Sequence, residues 1–318
     1  MGQHYCNGSN GRANSTLAVN ITVIICTHNP RPHCLKRCLE ALFEQSLPKH
    51  QWEVVVVDNR SDEPLAGRID LSWHPALRLV REEVLGLTPA RLRGIREAAG
   101  GLLVFVDDDN ILDADFLETA LHIAEEKPFL GSWSGQCRPE FEKPPMEWTR
   151  RYWGNLAIRE FDEDVWSNLP RLPQSMPCGA GLCVRRDVAK HYLFLHESGK
   201  RAFQLDRTGN SLISGGDNDL AACACDIGLG VGIIASLKLT HLIPPERLTD
   251  DYLMRLAEGI FFSAVILAHL RSSTAELASY RVRWHEPLRA MLVRGQHRKI
   301  QRACLRGRRR GLQFLASL

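Results

Sequence analysis

The residues best suited to chemistry are three consecutive aspartates, Asp107, Asp108 and Asp109, which follow directly on the apolar run Leu102 to Val106. Carboxylates side by side at the end of a buried strand repel one another unless a cation or solvent relieves them. Oxygen-only ligation by aspartate suits Mg2+ or Mn2+, ions that commonly also bind phosphate oxygens, so the chemistry implied is on a diphosphate-bearing substrate. In an extended segment Asp107 and Asp109 point to one side and Asp108 to the other. The competing reading is a solvated acidic turn that caps a helix starting near Asp113. A second set of candidates is Trp133, Trp148, Trp153 and Trp166, because indole faces stack on sugar rings; anchoring an irregular segment to the core explains them equally well. Cys34 and Cys38 share a helix face beside His33, which suits a metal, although buried thiols are the simpler reading.

Such side chains need a sheet to bring them together. Ile21 to Cys26 is an unbroken apolar and β-branched run, as in a strand covered on both faces, and after Thr27-His28-Asn29-Pro30 the residues Leu35, Cys38, Leu39 and Leu42 follow helical spacing. A second buried strand, Glu53 to Val57, ends at Asp58, and a third runs from Leu77 to Val80. Thr88-Pro89 opens a helix that continues to Ala99 and stops at Gly100-Gly101. The alternation predicts an α/β domain with a mostly parallel sheet, whose ligands bind beyond the carboxyl ends of the strands. Those ends carry Thr27-His28-Asn29, Asp58-Asn59 and Asp107 to Asp109. No GxGxxG follows the first strand and no GxxxxGK[ST] occurs, which argues against a nicotinamide dehydrogenase and a P-loop NTPase. Gly228, Gly230 and Gly232 read as a loop entering a strand. Leu182 to Arg186 reads as a strand with Arg185-Arg186 as its solvated end, Ser214 to Asp219 opens a helix to Ile227, and the chain from Leu248 reads as two or three helices.

The 318 residues are 44% hydrophobic and 24% charged, which excludes a disordered chain and a disulfide-stapled miniprotein. Ten scattered cysteines without a CxxC read as reduced thiols. The net charge of +3 is unevenly spread: Arg281 to Leu318 holds eleven Lys/Arg against one acid, Glu286, a charge of +10 that leaves −7 on the first 280 residues. Arginine mixed with Leu, Phe and Trp in this tail suggests an anionic membrane surface rather than nucleic acid; a solvated, frayed end is the plainer alternative. Met1 to Val19 reads as a flexible leader and not a signal peptide, so the sequons at Asn7, Asn14 and Asn20 carry little weight and a cytoplasmic location is expected. The apolar stretch Gly259 to Leu270, flanked by Glu258 and Arg271, is too short to cross a bilayer and reads as a core or interfacial helix.

In order, Ile24-Ile25-Cys26-Thr27-His28-Asn29, Val56-Val57-Asp58-Asn59-Arg60-Ser61, Gly86 to Arg91 through Gly94, and Phe105 to Asn110 resemble the signatures of family 2 glycosyltransferases with the GT-A fold, over roughly Asn20 to Leu248. The resemblance implies that Thr27, Asn29 and Asp58 hold the nucleotide's base and ribose with Arg91 nearby, that Asp107 and Asp108 contact the nucleotide-sugar, and that Asp109 ligates Mn2+ or Mg2+. Asn110 departs from the acid found there in many relatives. Ser214-Gly215-Gly216-Asp217-Asn218-Asp219-Leu220 is similar to the family's Glu-Asp motif, with Gly216 at the Glu position; this implies Asp217 as the catalytic base, a helix cap being its alternative role, and leaves Asp219 structural. His241 is the implied further metal ligand, a capping or buried histidine being its alternative, and Arg247 could meet the diphosphate, a solvated surface arginine being the favoured reading. Acceptor contacts are assigned to Trp166, Gly179 and Gly181. The expected partners are a nucleotide-diphosphate sugar, a UDP-sugar first, and a glycan or lipid-linked acceptor, with no nucleic acid. The expected division is a leader over 1–19, a catalytic domain over 20–247 and a basic helical region over 248–318. A nucleotidyltransferase of related architecture and a non-catalytic nucleotide-sugar-binding protein are the alternatives.

Overall fold

The computed structural model describes residues 19–170, 172–201, 205, 207, 212–271, 274–283, 285–287 and 292–318, so nearly all of the expected leader, with Asn7 and Asn14, lies outside the described residues. Runs of β-branched and apolar residues form the parallel half of a sheet: β1 (Ile21–Thr27), β2 (Trp52–Asp58), β3 (Leu77–Arg81) and β4 (Leu102–Val106), in the order β3-β2-β1-β4. Every residue of β2 and β4 is buried, because helices cover both faces. Between them lie α1 (Pro32–Phe43) and α2 (Leu87–Glu97), close to the predicted spans. The sheet continues as β8-β6-β9-β5 through β5 (Asn110–Leu112), β6 (Leu130–Phe141), β8 (Leu182–Arg185) and β9 (Gly230–Ile243), and β7 (Val165–Ser167) pairs with β9. Helices α3 (Phe116–Glu126), α4 (Arg186–Glu197) and α5 (Gly216–Asp226) complete the layers. One core packs Leu35, Leu39, Phe116 and Trp133 under one face, and a second packs Ile24, Val55, Tyr192 and Leu220 under the other.

Two sequence expectations change here. The segment of Trp133 is not irregular but belongs to β6, Pro139 included; Cys137 donates its amide to Arg159 on the side away from β9, and Pro139, two residues on, turns its ring nitrogen to that same side, so no ladder bond is lost. Arg185 and Arg186 are not a solvated strand end. Arg185 donates to the carbonyls of Leu130 and Ala124 (both 2.6 Å), and Arg186 to those of Gly100 (2.7 Å) and Ala98 (2.9 Å), which satisfies the carboxyl ends of α3 and α2.

The chain after β9 is helical: α6 (Asp250–Leu270), α7 (Thr274–Ser279) and α8 (Gly295–Ala316). The apolar stretch read as 12 residues is the second half of a 21-residue helix that begins at Asp250, which by length and composition alone would be enough to cross a membrane. Leu253, Leu256 and Ala257 instead pack on Ile243, Leu156 and Ile158, with Ile300 of α8 in the same cluster. Trp148 and Trp153 border that cluster and Trp133 is fully buried, so these three indoles are anchors.

Gly295–Ala316 of the basic tail is a helix and not a frayed end. Ala303, Gly307 and Gly311, at intervals of four, form a seam of small residues against α6. A Cβ on Gly307 would stand 2.3 Å from the Glu258 carbonyl oxygen and one on Gly311 2.8 Å from Val265 Cβ. Arg306 and Arg310 both bind Glu258, Lys299 binds Asp250 and Arg308 binds Glu286, so the folded chain neutralises part of the +10 itself. Gly307→Val, which forces a side chain into main chain, is expected to destabilise the protein by about 1–3 kcal/mol. An unchanged thermal unfolding midpoint would mean that the helices do not meet this closely.

Candidate active site

Three parallel strands end on one rim: β1 at Thr27, which stands opposite Asp58 of β2, and β4 at Val106, followed by the aspartates. Over the rim opens a cleft of about 380 Å3, a size typical of small-ligand sites. Thr27, His28 and Asn59 line it from the ends of β1 and β2, and Gly86 and Arg91 from the start of α2. Asn59 fixes that start: its Oδ1 accepts the Gly86 amide (2.8 Å) and its Nδ2 donates to the Val84 carbonyl (2.7 Å). Asp107 to Asp109, Gly179, Asp217, His241, Arg207 and Arg247 bring further polar and charged groups to the wall.

The acids meet their counter-charges through the sheet register. β5 runs antiparallel to β9 with Asn110 opposite His241, which sets Asp109 beside that ring. Asp109 Oδ2 is 2.8 Å from Arg247 Nη2 and 3.5 Å from His241 Nε2. A guanidinium only donates, so His241 Nε2 accepts from Arg247 Nη1 (2.9 Å), and Nδ1 carries the proton given to the Leu156 carbonyl (3.1 Å). An imidazole held this way by a backbone carbonyl aims its Nε2 lone pair as a metal ligand does. Burial pushes the Asp107 carboxyl up, with the Asp109 charge adding to it. Burial likewise pushes Asp108 up to about 7, again with Asp109 adding, while Thr27 Oγ1 donates to it. At Asp109 burial acts upward too, but the guanidinium of Arg247 beside it helps to outweigh that and hold the carboxyl well below the usual range. Asn110 Oδ1 is buried there with no partner among the described residues. An oxygen-rich, partly buried cluster with one aimed imidazole fits a hard divalent cation.

The segment carrying Asp217 is fixed from two sides. Gly215, at φ +134°, precedes α5 and occupies the cap position, so Asp217 in the first turn is not the cap. Its Oδ2 accepts the Gly179 amide at 2.7 Å. A Cβ at Gly179 would stand 3.0 Å from that oxygen and 3.3 Å from Arg91 Nη2, which ties this glycine to the two charged groups. On the other side α6 runs along the segment: Ser263 Oγ accepts the Ser214 amide (3.1 Å), and at Gly259 a Cβ would be 2.2 Å from the Leu212 carbonyl oxygen. Arg271 then donates to the Asp219 carboxylate (2.7 Å) and carbonyl (2.6 Å), and Arg201 to the other carboxylate oxygen (2.7 Å). Asp219 is therefore a buried anchor two residues from Asp217.

The structure thus brings Thr27, Arg91, Asp107, Asp108, Asp109, Gly179, Asp217 and His241 to one cleft. Asn29 and Asp58 stand outside its wall. The Asp58 carboxylate accepts the amides of Ser61 (2.9 Å) and Leu65 (3.2 Å) and pairs with Arg81 (2.9 Å), while Asn29, at φ +48°, binds Asp62 (2.9 Å). Both shape the loop after β2. Trp166 is not at the cleft: β7 pairs with β9 at Gly232, nine residues before His241, on the order of 25–30 Å along a strand, and its ring lies against Phe129 (4.7 Å). Gly181 packs on Leu239 and Phe116 and takes φ +64°. Arg247, read as a surface residue, is the ion-pair partner of Asp109, and Arg207 of the wall carried no sequence signal. Away from the cleft, His33, Cys34 and Glu142 converge as three potential ligands, but Arg31 already holds both Glu142 oxygens (2.6 and 3.2 Å).

Comparison with known proteins bears on the family and the fold. Residues 22–193 match the family described as Glycosyl transferase family 2. Glycosyltransferase AglE of Haloferax volcanii is 33% identical over 92 residues, 28% of this chain and 30% of that protein. The uncharacterized protein MT1568 of Mycobacterium tuberculosis is 32% identical over 148 residues, 45% of this chain and 44% of that protein. The chain thus spans less than half the length of these relatives. The crystal structure of S. aureus TarS 1-349 in complex with UDP-GlcNAc superposes with a TM-score of 0.51 at 15% identity, covering 94% of this chain and 92% of that one; the likeness is one of fold, the GT-A arrangement.

The rim's electrostatics yield a pH prediction. Because the Asp108 carboxyl is raised to about 7 from 3.8, the folded chain binds its proton more tightly than the unfolded chain; that stability is full below about pH 4 and is lost as pH rises through 7. With chelator present, Asp108→Asn is therefore expected to melt above the parent at pH 8 by a few degrees, at roughly 2–4 °C per kcal/mol, and to converge with it near pH 4. A variant that melts below the parent at pH 8 would contradict this.

Proposed function

We propose that this chain, which belongs to glycosyl transferase family 2, moves a sugar from a nucleotide-diphosphate donor to an acceptor hydroxyl by a single displacement that inverts the anomeric carbon. The observation that carries the reading is that Asp217 shares one cleft with the triple aspartate and three arginines, Arg91, Arg207 and Arg247. In this reading Thr27, His28 and Asn59 border the nucleoside, and Asp58 and Asn29 support them by holding the loop after β2. The arginines meet the diphosphate, whose charge rises as it departs. Asp109 and His241 would hold the ion, and Mn2+ or Mg2+ there would supply Lewis-acid stabilisation of the leaving group. Asp217, oriented by the Gly179 amide, takes the proton of the attacking hydroxyl as the new glycosidic bond forms.

A UDP-sugar is the first donor to try, supported by the UDP-GlcNAc that the S. aureus TarS structure holds. The acceptor is a glycan or a lipid-linked glycan. Support for an acceptor at an anionic surface comes from Arg302 and Arg309, exposed on one side of α8, with Phe314 and Leu318 exposed near its end.

Nucleotide-sugars tested by thermal shift with and without Mn2+ are expected to raise the melting point of the folded chain, most with the ion present. Asp217→Asn should keep that shift and lose turnover by about 10^2-fold to 10^4-fold. Transfer at the parental rate by this variant would remove the base assignment, and binding without turnover in the parent would favour a non-catalytic role. Arg302→Glu combined with Arg309→Glu should reduce pelleting with anionic liposomes; equal pelleting removes the membrane proposal.

A further inference from the structure

The guanidinium of Arg247 occupies the two donor atoms that a metal ion would need. Nη2 lies 2.8 Å from Asp109 Oδ2 and Nη1 2.9 Å from His241 Nε2, so one planar cation bridges the carboxylate and the imidazole lone pair. We propose that Arg247 acts as an internal substitute for the ion and gives way to it only when a diphosphate offers the guanidinium another partner, so that metal and donor load together. This rests on the proposed reading of the cleft as a metal and nucleotide-sugar site.

The argument is one of exclusion and charge. Imidazole Nε2 has a single lone pair and cannot serve a guanidinium and a metal at once. A divalent ion beside Asp109 would also face the positive charge of Arg247 at close range. Arg247 cannot simply withdraw, because its side chain is 23% exposed and that of Asp109 11%, and a buried guanidinium stripped of its anion is costly. A diphosphate removes the obstacle, since guanidinium and phosphate pair through two parallel hydrogen bonds. The displacement required is small: Arg247 sits on the short 3-10 turn Pro245–Leu248 and already lines the cleft beside Asp107 to Asp109. Coupling of this kind is reciprocal, so the diphosphate strengthens ion binding by the same factor as the ion strengthens diphosphate binding.

The test measures ion binding and not transfer. Free Mn2+ is followed by electron paramagnetic resonance in titrations of the full chain, with and without uridine diphosphate. In the parent, uridine diphosphate is expected to tighten Mn2+ binding tenfold or more. In Arg247→Met, Mn2+ alone is expected to bind at least tenfold more tightly than to the parent, and the further gain from uridine diphosphate to shrink to less than threefold. Equal Mn2+ affinity of parent and variant without nucleotide overturns the exchange. Asp109→Asn separates this from the underlying reading: if it leaves Mn2+ binding intact, the metal site is itself wrong, whereas loss of binding there, with Arg247→Met behaving as the parent, leaves the site standing and removes only the exchange. Arg247→Gln, similar in size and neutral, carries the same expectation if the methionine variant does not fold.

Discussion

A row of carboxylates at the end of a buried strand demands converging positive charge, and much of the second half of the sheet answers that demand. Asp107 to Asp109 leave β4 at a point the parallel half of the fold relieves only in part, through Arg91 of α2, since the neighbouring ends of β1 and β2 bring Thr27 and an acid, Asp58, that is already paired with Arg81. Further compensation comes from far along the chain. β9 runs antiparallel to β5, delivers His241 beside Asp109, and hands over to the turn that carries Arg247. Strand direction is thus part of the electrostatics.

The opposite wall of the cleft follows a steric rule. Gly179 and Gly259 each let a main chain or a carboxylate approach where a Cβ would intrude, and Gly215 takes a backbone conformation that side chains disfavour. Together they draw the Asp217 segment between the Gly179 loop and α6 with little slack. The charged anchors of that segment, Arg201, Asp219 and Arg271, are almost wholly buried, so each stays fixed through its partners.

What could be read in the sequence follows from locality. β1, β2 and β4 were legible because strands buried on both faces are continuous apolar runs, and the aspartate row was legible because nothing about packing explains it. The signature residues were found in order, but motif identity did not separate contact from support: Thr27 and Asp107 face the cleft, whereas Asp58 and Asn29 hold a loop behind it. β6 was missed because proline argues against a strand until the free side of that strand is known. The pairing of Arg247 with Asp109 was not legible because the two lie 138 positions apart and only the β5 and β9 register joins them. Trp166 showed the opposite error, since an aromatic type suited to sugars says nothing about which end of a strand it will occupy.

The position of α6 has a consequence for the whole chain. The helix starts three residues after Arg247 and ends next to Arg271, which grips Asp219, so a rod about 30 Å long joins the acidic rim to the segment that carries Asp217. Along its flank lies α8, seated by glycine against it. A load on the basic helix therefore passes to a helix whose two ends adjoin Arg247 and the anchor of Asp219, two residues from Asp217.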